Sequence, residues 1–123
     1  MTDKLAVTLF GVNLRNPVLA ASGTFGYGLE FSRLLPLEKL GGIVTKGLSR
    51  EPILGNPSPR LWHTGAGMIN SVGLQNVGVA SFIHEKLPKL RNYSVPIFAN
   101  VFGYQVEDYL EVIKRLEDVE GVA

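Results

Sequence analysis

The chain has 123 residues, of which 46% are hydrophobic and 19% charged, a composition typical of a globular domain rather than of a disordered or fibrous protein. The formal net charge is +1 and no segment concentrates lysine or arginine, so we expect neither nucleic-acid binding nor attraction to an acidic membrane surface. Cysteine is absent, so we expect no disulfides. The first residues become polar too early for a secretion signal, and no apolar run is long enough to span a membrane, so we expect a soluble cytoplasmic protein.

The chain begins with the pattern of a β-hairpin followed by a buried strand. Apolar residues alternate over residues 5–9 and 12–14, on either side of Phe10-Gly11, which predicts a small hairpin. The continuous apolar run over residues 18–21 is typical of a strand that is buried on both faces. A glycine-rich turn then leads to a short helical pattern from Glu30 to Leu35, so the first unit is strand, loop and helix.

A second unit follows with the same order of elements. Residues 37–40 and Gly41 precede an apolar strand, residues 42–45, which leads into Lys46 and a glycine-rich loop. This loop carries no secondary-structure periodicity for about thirty residues, a length that compact domains usually keep for functional loops. Asn76 is a suitable N-cap for a helix that Pro88 is expected to disrupt. The buried face of that helix is predicted to contain Val79, Phe82, Ile83 and Leu87.

The third unit has the clearest pattern. Residues 95–101 form an apolar strand, and a helix is predicted from about Gln105 to Asp118. Residues 121–123 read as the start of a fourth strand. One helical stripe is predicted to face the core, namely Val106, Tyr109, Leu110, Ile113 and Leu116. The charged residues then cover the solvated side of the helix.

Three alternations of strand and helix predict a parallel sheet with right-handed crossovers. Two architectures fit, an open doubly wound sheet and the first half of an eight-stranded barrel, and both place ligands at the carboxyl ends of the strands. Polar side chains stand at that position in all three units: Ser22, Lys46 and Asn100. Polar residues also follow strands simply because loops are hydrated, but three such residues together with the long loop favour a binding site. A lysine at the end of a buried strand further favours a cleft that holds an anion or an electron-rich ring.

The motifs of the chain resemble those of a known family. Five motifs, which cover the whole chain in the same order, are similar to those of dihydroorotate dehydrogenase: Ala21-Ser22-Gly23, Val44-Thr45-Lys46-Gly47, Gly55-Asn56-Pro57 with Pro59-Arg60, Asn70 with Gly73-Leu74-Gln75-Asn76, and Ala99-Asn100-Val101. The resemblance implies an α/β fold, namely the N-terminal half of a TIM (β/α)8 barrel with a preceding β-hairpin and three to four parallel strands. Because a complete barrel needs roughly 250 residues, residues 1–123 would be an incomplete single domain and an N-terminal fragment. The implied activity is oxidation of dihydroorotate to orotate, with hydride transfer to FMN, in pyrimidine (UMP) biosynthesis.

The resemblance also implies the residues of the site. The cofactor FMN would be bound by Ala21, Ser22, Gly23, Lys46, Gly47 and Asn100. The substrate would be bound by Lys46, Asn70, Ser71, Val72, Gly73 and Leu74. An ammonium group close to both ligands suits the negative charge of reduced flavin and of the orotate carboxylate. The family's catalytic base is a cysteine, which is expected beyond Ala123, so these residues alone are expected to be inactive.

The resemblance also implies the partners of the protein. Gln75 resembles the NAD-linked subtype of class 1, whereas the fumarate-linked subtype usually has proline at this position. This implies a homodimer of catalytic subunits with an electron-transfer subunit that carries FAD and an iron–sulfur cluster. Two alternatives stay open: a related FMN barrel that acts on dihydropyrimidines, and a non-catalytic α/β binding module. His63 and His84 stand apart from other metal-ligand residues, so we expect no metal site.

Overall fold

The computed structural model describes residues 4–123. Seven short strands form three separate sheets: β1 Val7–Leu9, β2 Val12–Leu14, β3 Leu19–Ala20, β4 Gly42–Val44, β5 Leu61–Thr64, β6 Gly67–Asn70 and β7 Ile97–Phe98. Two short 3-10 helices lie at Leu29–Phe31 and Leu37–Lys39. The longer helices are α1 Gly78–Ser81, which continues through a π-helical segment, Phe82–Lys86, into α2 Leu87–Leu90, and α3 Val106–Leu116.

The predicted hairpin is confirmed. β1 and β2 pair antiparallel, with Leu9 opposite Val12. Phe10 and Gly11, the two residues of the turn, both have a positive φ, of 49° and 81°. A two-residue hairpin loop of type I′ needs this left-handed backbone at both positions, and glycine adopts it without steric cost.

The predicted parallel sheet is present with three strands, in the order β3-β4-β7. Leu19 pairs with Gly42, and Ile43 pairs with Ile97, all in parallel register. The expectation that β3 is buried on both faces is wrong, since both its residues are only half-buried and Val18 before it is 58% exposed. The reason is position: β3 is an edge strand here, whereas β4 has a neighbour on each side. Residues 121–123 form no strand in the described chain, although the Ala123 N–H donates a hydrogen bond of 2.8 Å to the Ile97 carbonyl.

The core lies between the parallel sheet and the helix that runs over residues 78–90. Three residues of the face predicted for this helix, Val79, Phe82 and Leu87, are fully buried, and Ile83 is half-buried. The expected disruption at Pro88 takes the form of the π-helical segment directly before it, and the helix then continues to Leu90. Proline lacks the N–H of the normal ladder, and a local switch to wider hydrogen bonding accommodates that loss without ending the helix.

The observed span of helix α3 confirms the prediction, but the side of the helix that is buried differs from the predicted one. Gln105 and Asp108 form a reciprocal capping box at its start. The buried residues are Val112 and Leu116, whereas the other members of the predicted stripe are exposed: Val106 69%, Tyr109 40%, Leu110 59% and Ile113 50%. Apolar residues thus occur on two sides of α3, and within residues 4–123 only one side packs against the core. The periodicity of apolar residues in the sequence indicates both sides of α3 and does not show which side packs against the core.

The long loop after Lys46 contains a second hairpin, so the expectation of a loop without regular structure is wrong. β5 and β6 pair antiparallel, with Leu61 opposite Asn70 and Thr64 opposite Gly67. All eight strand residues are exposed. A strand pair that buries neither face carries no alternation of apolar and polar residues, so no strand was predicted here.

No helix in the described part of the chain is long and apolar enough to cross a membrane.

Candidate functional site

The backbone brings the predicted site residues to one edge of the parallel sheet. Beyond β4 and β7 the parallel pairing continues, because the Leu48 N–H donates to the Asn100 carbonyl at 2.8 Å. The Lys46 N–H donates to the Gly26 carbonyl at 2.8 Å, which ties the end of β4 to the glycine-rich turn after β3. The residues that follow three neighbouring strands therefore meet at the carboxyl edge.

A cavity of about 210 Å³, here called the strand-end cavity, opens at this edge. Its lining contains Ser22, Gly23, Lys46, Gly47, Leu74, Asn100, Val101 and Phe102. The Asn100 side-chain amide donates a hydrogen bond of 2.7 Å to the Ser22 hydroxyl, although 78 positions separate the two residues in sequence. Five of the six residues predicted for the cofactor line this cavity; Ala21 does not.

Lys46 also lines a larger cavity of about 550 Å³ on the side of the helix over residues 78–90. Tyr27, Glu30 and Lys86 face this second cavity. The pKa of Tyr27 is raised, mainly by burial and further by the nearby Glu30 carboxylate. Its hydroxyl accepts a hydrogen bond of 3.1 Å from the Val77 N–H, and this bond lowers the pKa in part. The Lys86 ammonium lies 5.7 Å from the centre of the Tyr27 ring, within the range of a cation–π contact. Sequence reasoning did not assign a role to Tyr27 or Lys86, because their proximity depends on how the helix lies over the turn.

The residues predicted for the substrate do not all reach the strand-end cavity. Of residues 70–74, only Leu74 lines it. Asn70 and Ser71 line a third cavity of about 220 Å³, beside Trp62 on the hairpin. Leu74 has a φ of 56°, which is unfavourable for a residue with a branched side chain, and such strained backbone is often found at functional sites.

The side chain of Asn76 forms hydrogen bonds within the chain through both its oxygen and its amide nitrogen. Its carboxamide oxygen accepts hydrogen bonds from the Gly78 N–H at 2.9 Å and from the Ser49 N–H at 3.2 Å. Its amide donates to the Leu74 carbonyl at 3.0 Å. The helix begins at Gly78, with Val77 at the cap position, so Asn76 lies one residue before the cap but still satisfies a free N–H of the first turn. The geometry therefore favours the capping role that the sequence suggested for Asn76.

Comparison with known proteins identifies the family. The family model for dihydroorotate dehydrogenase matches residues 4–123. The chain belongs to the dihydroorotate dehydrogenase family. The resemblance carried by the five sequence motifs is confirmed.

Curated dihydroorotate dehydrogenases are similar over the whole chain. A protein of Solibacter usitatus, whose name refers to the fumarate-linked dihydroorotate dehydrogenase A, is 61% identical over 123 residues, covering 100% of this chain and 40% of the relative. The dihydroorotate dehydrogenase B (NAD(+)) catalytic subunit of Geotalea daltonii is 53% identical over 119 residues, covering 97% of this chain and 39% of the relative. The chain thus spans about 40% of the length of these relatives.

Solved structures of dihydroorotate dehydrogenase are similar in fold. The enzyme of Eimeria tenella in complex with ferulenol matches with a TM-score of 0.61 and 21% identity, covering 90% of this chain and 33% of that chain. The ligand-free form of the same enzyme also matches with a TM-score of 0.61. At this identity the likeness concerns the fold alone.

Proposed function

We propose that these residues form the N-terminal part of an FMN-dependent dihydroorotate dehydrogenase. The observation that carries the proposal is the convergence of Ser22, Lys46, Gly47 and Asn100 on one cavity at the carboxyl edge of a parallel sheet. A hydroxyl, an amide and an ammonium group supply the hydrogen-bond donors and the positive charge that an electron-rich flavin ring requires. The donor set therefore fits FMN.

The residues have distinct proposed tasks around that ring. A bound FMN supplies the hydride acceptor. Lys46 would supply positive charge to a bound flavin and to the substrate carboxylate, and Ser22 with Asn100 would donate hydrogen bonds that orient the flavin ring. Asn70 offers a side-chain amide that matches the carbonyl and N–H groups of a pyrimidine, and Ser71, Val72, Gly73 and Leu74 complete the substrate loop. The base that removes the substrate proton is a residue outside these 123, which contain no cysteine.

The proposed setting is a larger TIM barrel, of which residues 1–123 are the incomplete N-terminal half. Three facts support this: the parallel order β3-β4-β7, the exposed apolar side of α3, and the 40% share of the relatives' length. A barrel would give β3 its missing neighbour and would cover α3 with the next helix. We call the longer protein that carries these residues the full-length protein.

Replacement of Lys46 by alanine tests the proposal. We expect Lys46→Ala in the full-length protein to lower kcat/KM for dihydroorotate by about 10- to 100-fold, since a charge-assisted contact contributes about 1.5–3 kcal/mol. Lys89→Ala is the matched control, because Lys89 is exposed on α2. A Lys46→Ala variant within about threefold of the wild type would reject the role of Lys46. Turnover of dihydrouracil in preference to dihydroorotate would instead support a dihydropyrimidine-specific FMN barrel.

The electron acceptor is part of the proposal. Gln75 and the NAD(+) relatives support an NAD-linked enzyme, in which a homodimer of catalytic subunits works with a subunit that carries FAD and an iron–sulfur cluster. The name of the Solibacter usitatus relative supports fumarate as the alternative acceptor. We expect the purified full-length protein to reduce fumarate poorly and to depend on the second subunit for NAD reduction. Efficient fumarate reduction by the catalytic chain alone would contradict the NAD-linked assignment.

A further inference from the structure

The two arms of the loop that carries the predicted substrate residues are joined by their backbones. The outgoing arm is residues 53–60 and the returning arm is residues 71–76, and the β5–β6 hairpin lies between them. Ile53 and Asn76 exchange two backbone hydrogen bonds of 3.0 and 2.9 Å. Further along, the Asn56 N–H donates to the Val72 carbonyl at 3.0 Å, and the Ser71 N–H donates to the Arg60 carbonyl at 2.8 Å. The arms therefore run side by side.

Glycines allow this close approach. Gly55 has a φ of 76°, and a Cβ at this position would lie 2.3 Å from the Val72 carbonyl oxygen. Gly73 has a φ of 78°, and a Cβ there would lie 2.8 Å from the Asn56 nitrogen. A side chain at either position would push the arms apart. The spacing between the arms is thus set by the backbone itself.

Side chains add a second set of contacts between the arms, and Arg60 is at its centre. The Arg60 guanidinium donates to the Gln75 side-chain oxygen at 2.7 Å and to the Asn56 carbonyl at 3.2 Å. The Asn56 amide donates to the carbonyl and to the hydroxyl of Ser71, both at 2.9 Å. Arg60 is half-buried although the hairpin beyond it is exposed. One guanidinium therefore connects the outgoing arm to the residue that follows Leu74.

We infer that Arg60 is a positioning residue, which acts through Gln75 to hold Leu74 and the predicted substrate loop in place. Leu74 lines the strand-end cavity and keeps an unfavourable φ of 56° between Gly73 and Gln75. The Asn76 amide holds the Leu74 carbonyl, and the bond from Arg60 fixes Gln75 between these two residues. Without that bond, the backbone of Leu74 would relax toward a more common conformation and withdraw Leu74 from the cavity. The link from loop position to substrate binding rests on the function proposed above. It also gives the residue at position 75 a task, since a proline there would have no side-chain oxygen to accept the bond from Arg60.

Steady-state kinetics of the full-length protein test the link to the substrate. We expect Arg60→Ala and Gln75→Ala each to raise KM for dihydroorotate by about tenfold with kcat within about threefold, and the double variant to be no worse than Arg60→Ala alone. Gln75→Glu retains the acceptor for Arg60 and should restore KM to within about threefold of the wild type. Arg50→Ala is the matched control, because Arg50 belongs to the same loop but only approaches the neighbouring Glu51 at 3.8 Å. Additive losses in the double variant, or equal losses in Gln75→Glu and Gln75→Ala, would overturn the inference.

Amide hydrogen exchange gives a readout that does not depend on activity. Two amides of the returning arm donate across the loop, those of Ser71 and Asn76, and in Arg60→Ala both should exchange at least about tenfold faster, whereas the amides of α3 should be unchanged. Unchanged exchange in the returning arm, faster exchange throughout the protein, or faster exchange in that arm without an increase in KM would each overturn the positioning role. If the wild type does not oxidise dihydroorotate but the selective exchange effect occurs, the positioning of the loop stands and the proposed function fails.

Discussion

Replacement of Asn76 separates a structural role from a substrate-binding role. Asn76 is 6% exposed, and its carboxamide oxygen accepts from the backbone N–H groups of Ser49 and Gly78. Asn76→Ala leaves both donors without this partner in a buried position. A buried donor without a partner costs about 1–3 kcal/mol, so for two donors we expect the free energy of unfolding to fall by about 2–6 kcal/mol. Since proteins are typically stable by about 5–15 kcal/mol, the loss would be readily measured.

Asn76→Asp is the matched control. The aspartate keeps the oxygen that accepts from Ser49 and Gly78, and the helix N-terminus favours its charge. Its second oxygen faces the Leu74 carbonyl in place of the donating amide, so we expect a loss of stability, but a smaller one than in Asn76→Ala. Urea unfolding of the full-length protein, followed by circular dichroism, compares the three proteins through their midpoints. An Asn76→Ala variant that loses less than about 1 kcal/mol, or that equals Asn76→Asp, would refute the reasoning. A large loss of kcat/KM without a loss of stability would instead indicate a direct role in substrate binding.

Three further predictions concern the core, α3 and the isolated chain. Tyr27→Phe should cost about 1 kcal/mol, because the Val77 N–H loses its acceptor. Burial raises the pKa of Tyr27, so its neutral form stabilises the fold fully below about pH 10, and this contribution is lost as the pH rises through the raised pKa. When the urea midpoint is measured against pH, Tyr27→Phe should therefore lose less stability at alkaline pH than the wild type. Identical alkaline profiles of the two proteins would contradict this. If a further helix covers the exposed side of α3 in the full-length protein, Leu110→Ala should lower its stability by more than about 1 kcal/mol. A Leu110→Ala variant whose stability in thermal unfolding stays within about 0.5 kcal/mol of the wild type would contradict that packing. Residues 1–123 alone should bind FMN with weaker than micromolar affinity and should oxidise no dihydroorotate. The reason is that β3 has an unpaired edge, so the proposed half-barrel stays open. Tight binding together with turnover in an FMN titration would overturn the half-barrel proposal.

The sequence predicted the elements whose residues have a strong period or a continuous apolar run. β4 and β7 were recognisable because each lies in a continuous apolar run of the sequence, and α3 because its pattern continues for three turns. The covered side of α3 was not predictable, since burial depends on which neighbour is present. The β5–β6 hairpin was not predicted because it buries neither face and so carries no two-residue alternation.

The candidate site was predictable to a similar extent. Ser22, Lys46 and Asn100 meet because parallel strands end at the same edge, a rule that needs only the order of the elements. Asn70 lines a different cavity, beside the β5–β6 hairpin, and no sequence pattern predicted that hairpin. The contact between Arg60 and Gln75 depends on the path of both arms of the loop, which no local pattern specifies. The roles assigned to the individual site residues stay predictions.

The exposed β5–β6 hairpin makes the protein suitable for label-free fluorescence. Trp62 is the single tryptophan of these 123 residues, it is 69% exposed, and it lies opposite Ile69 on the hairpin. Indole emission moves to shorter wavelength when water is excluded, so any molecule that settles on the hairpin would shift the emission of Trp62. A titration would thus report contact at this position directly, whether the added molecule is another protein chain or a small ligand in the cavity that Trp62 lines.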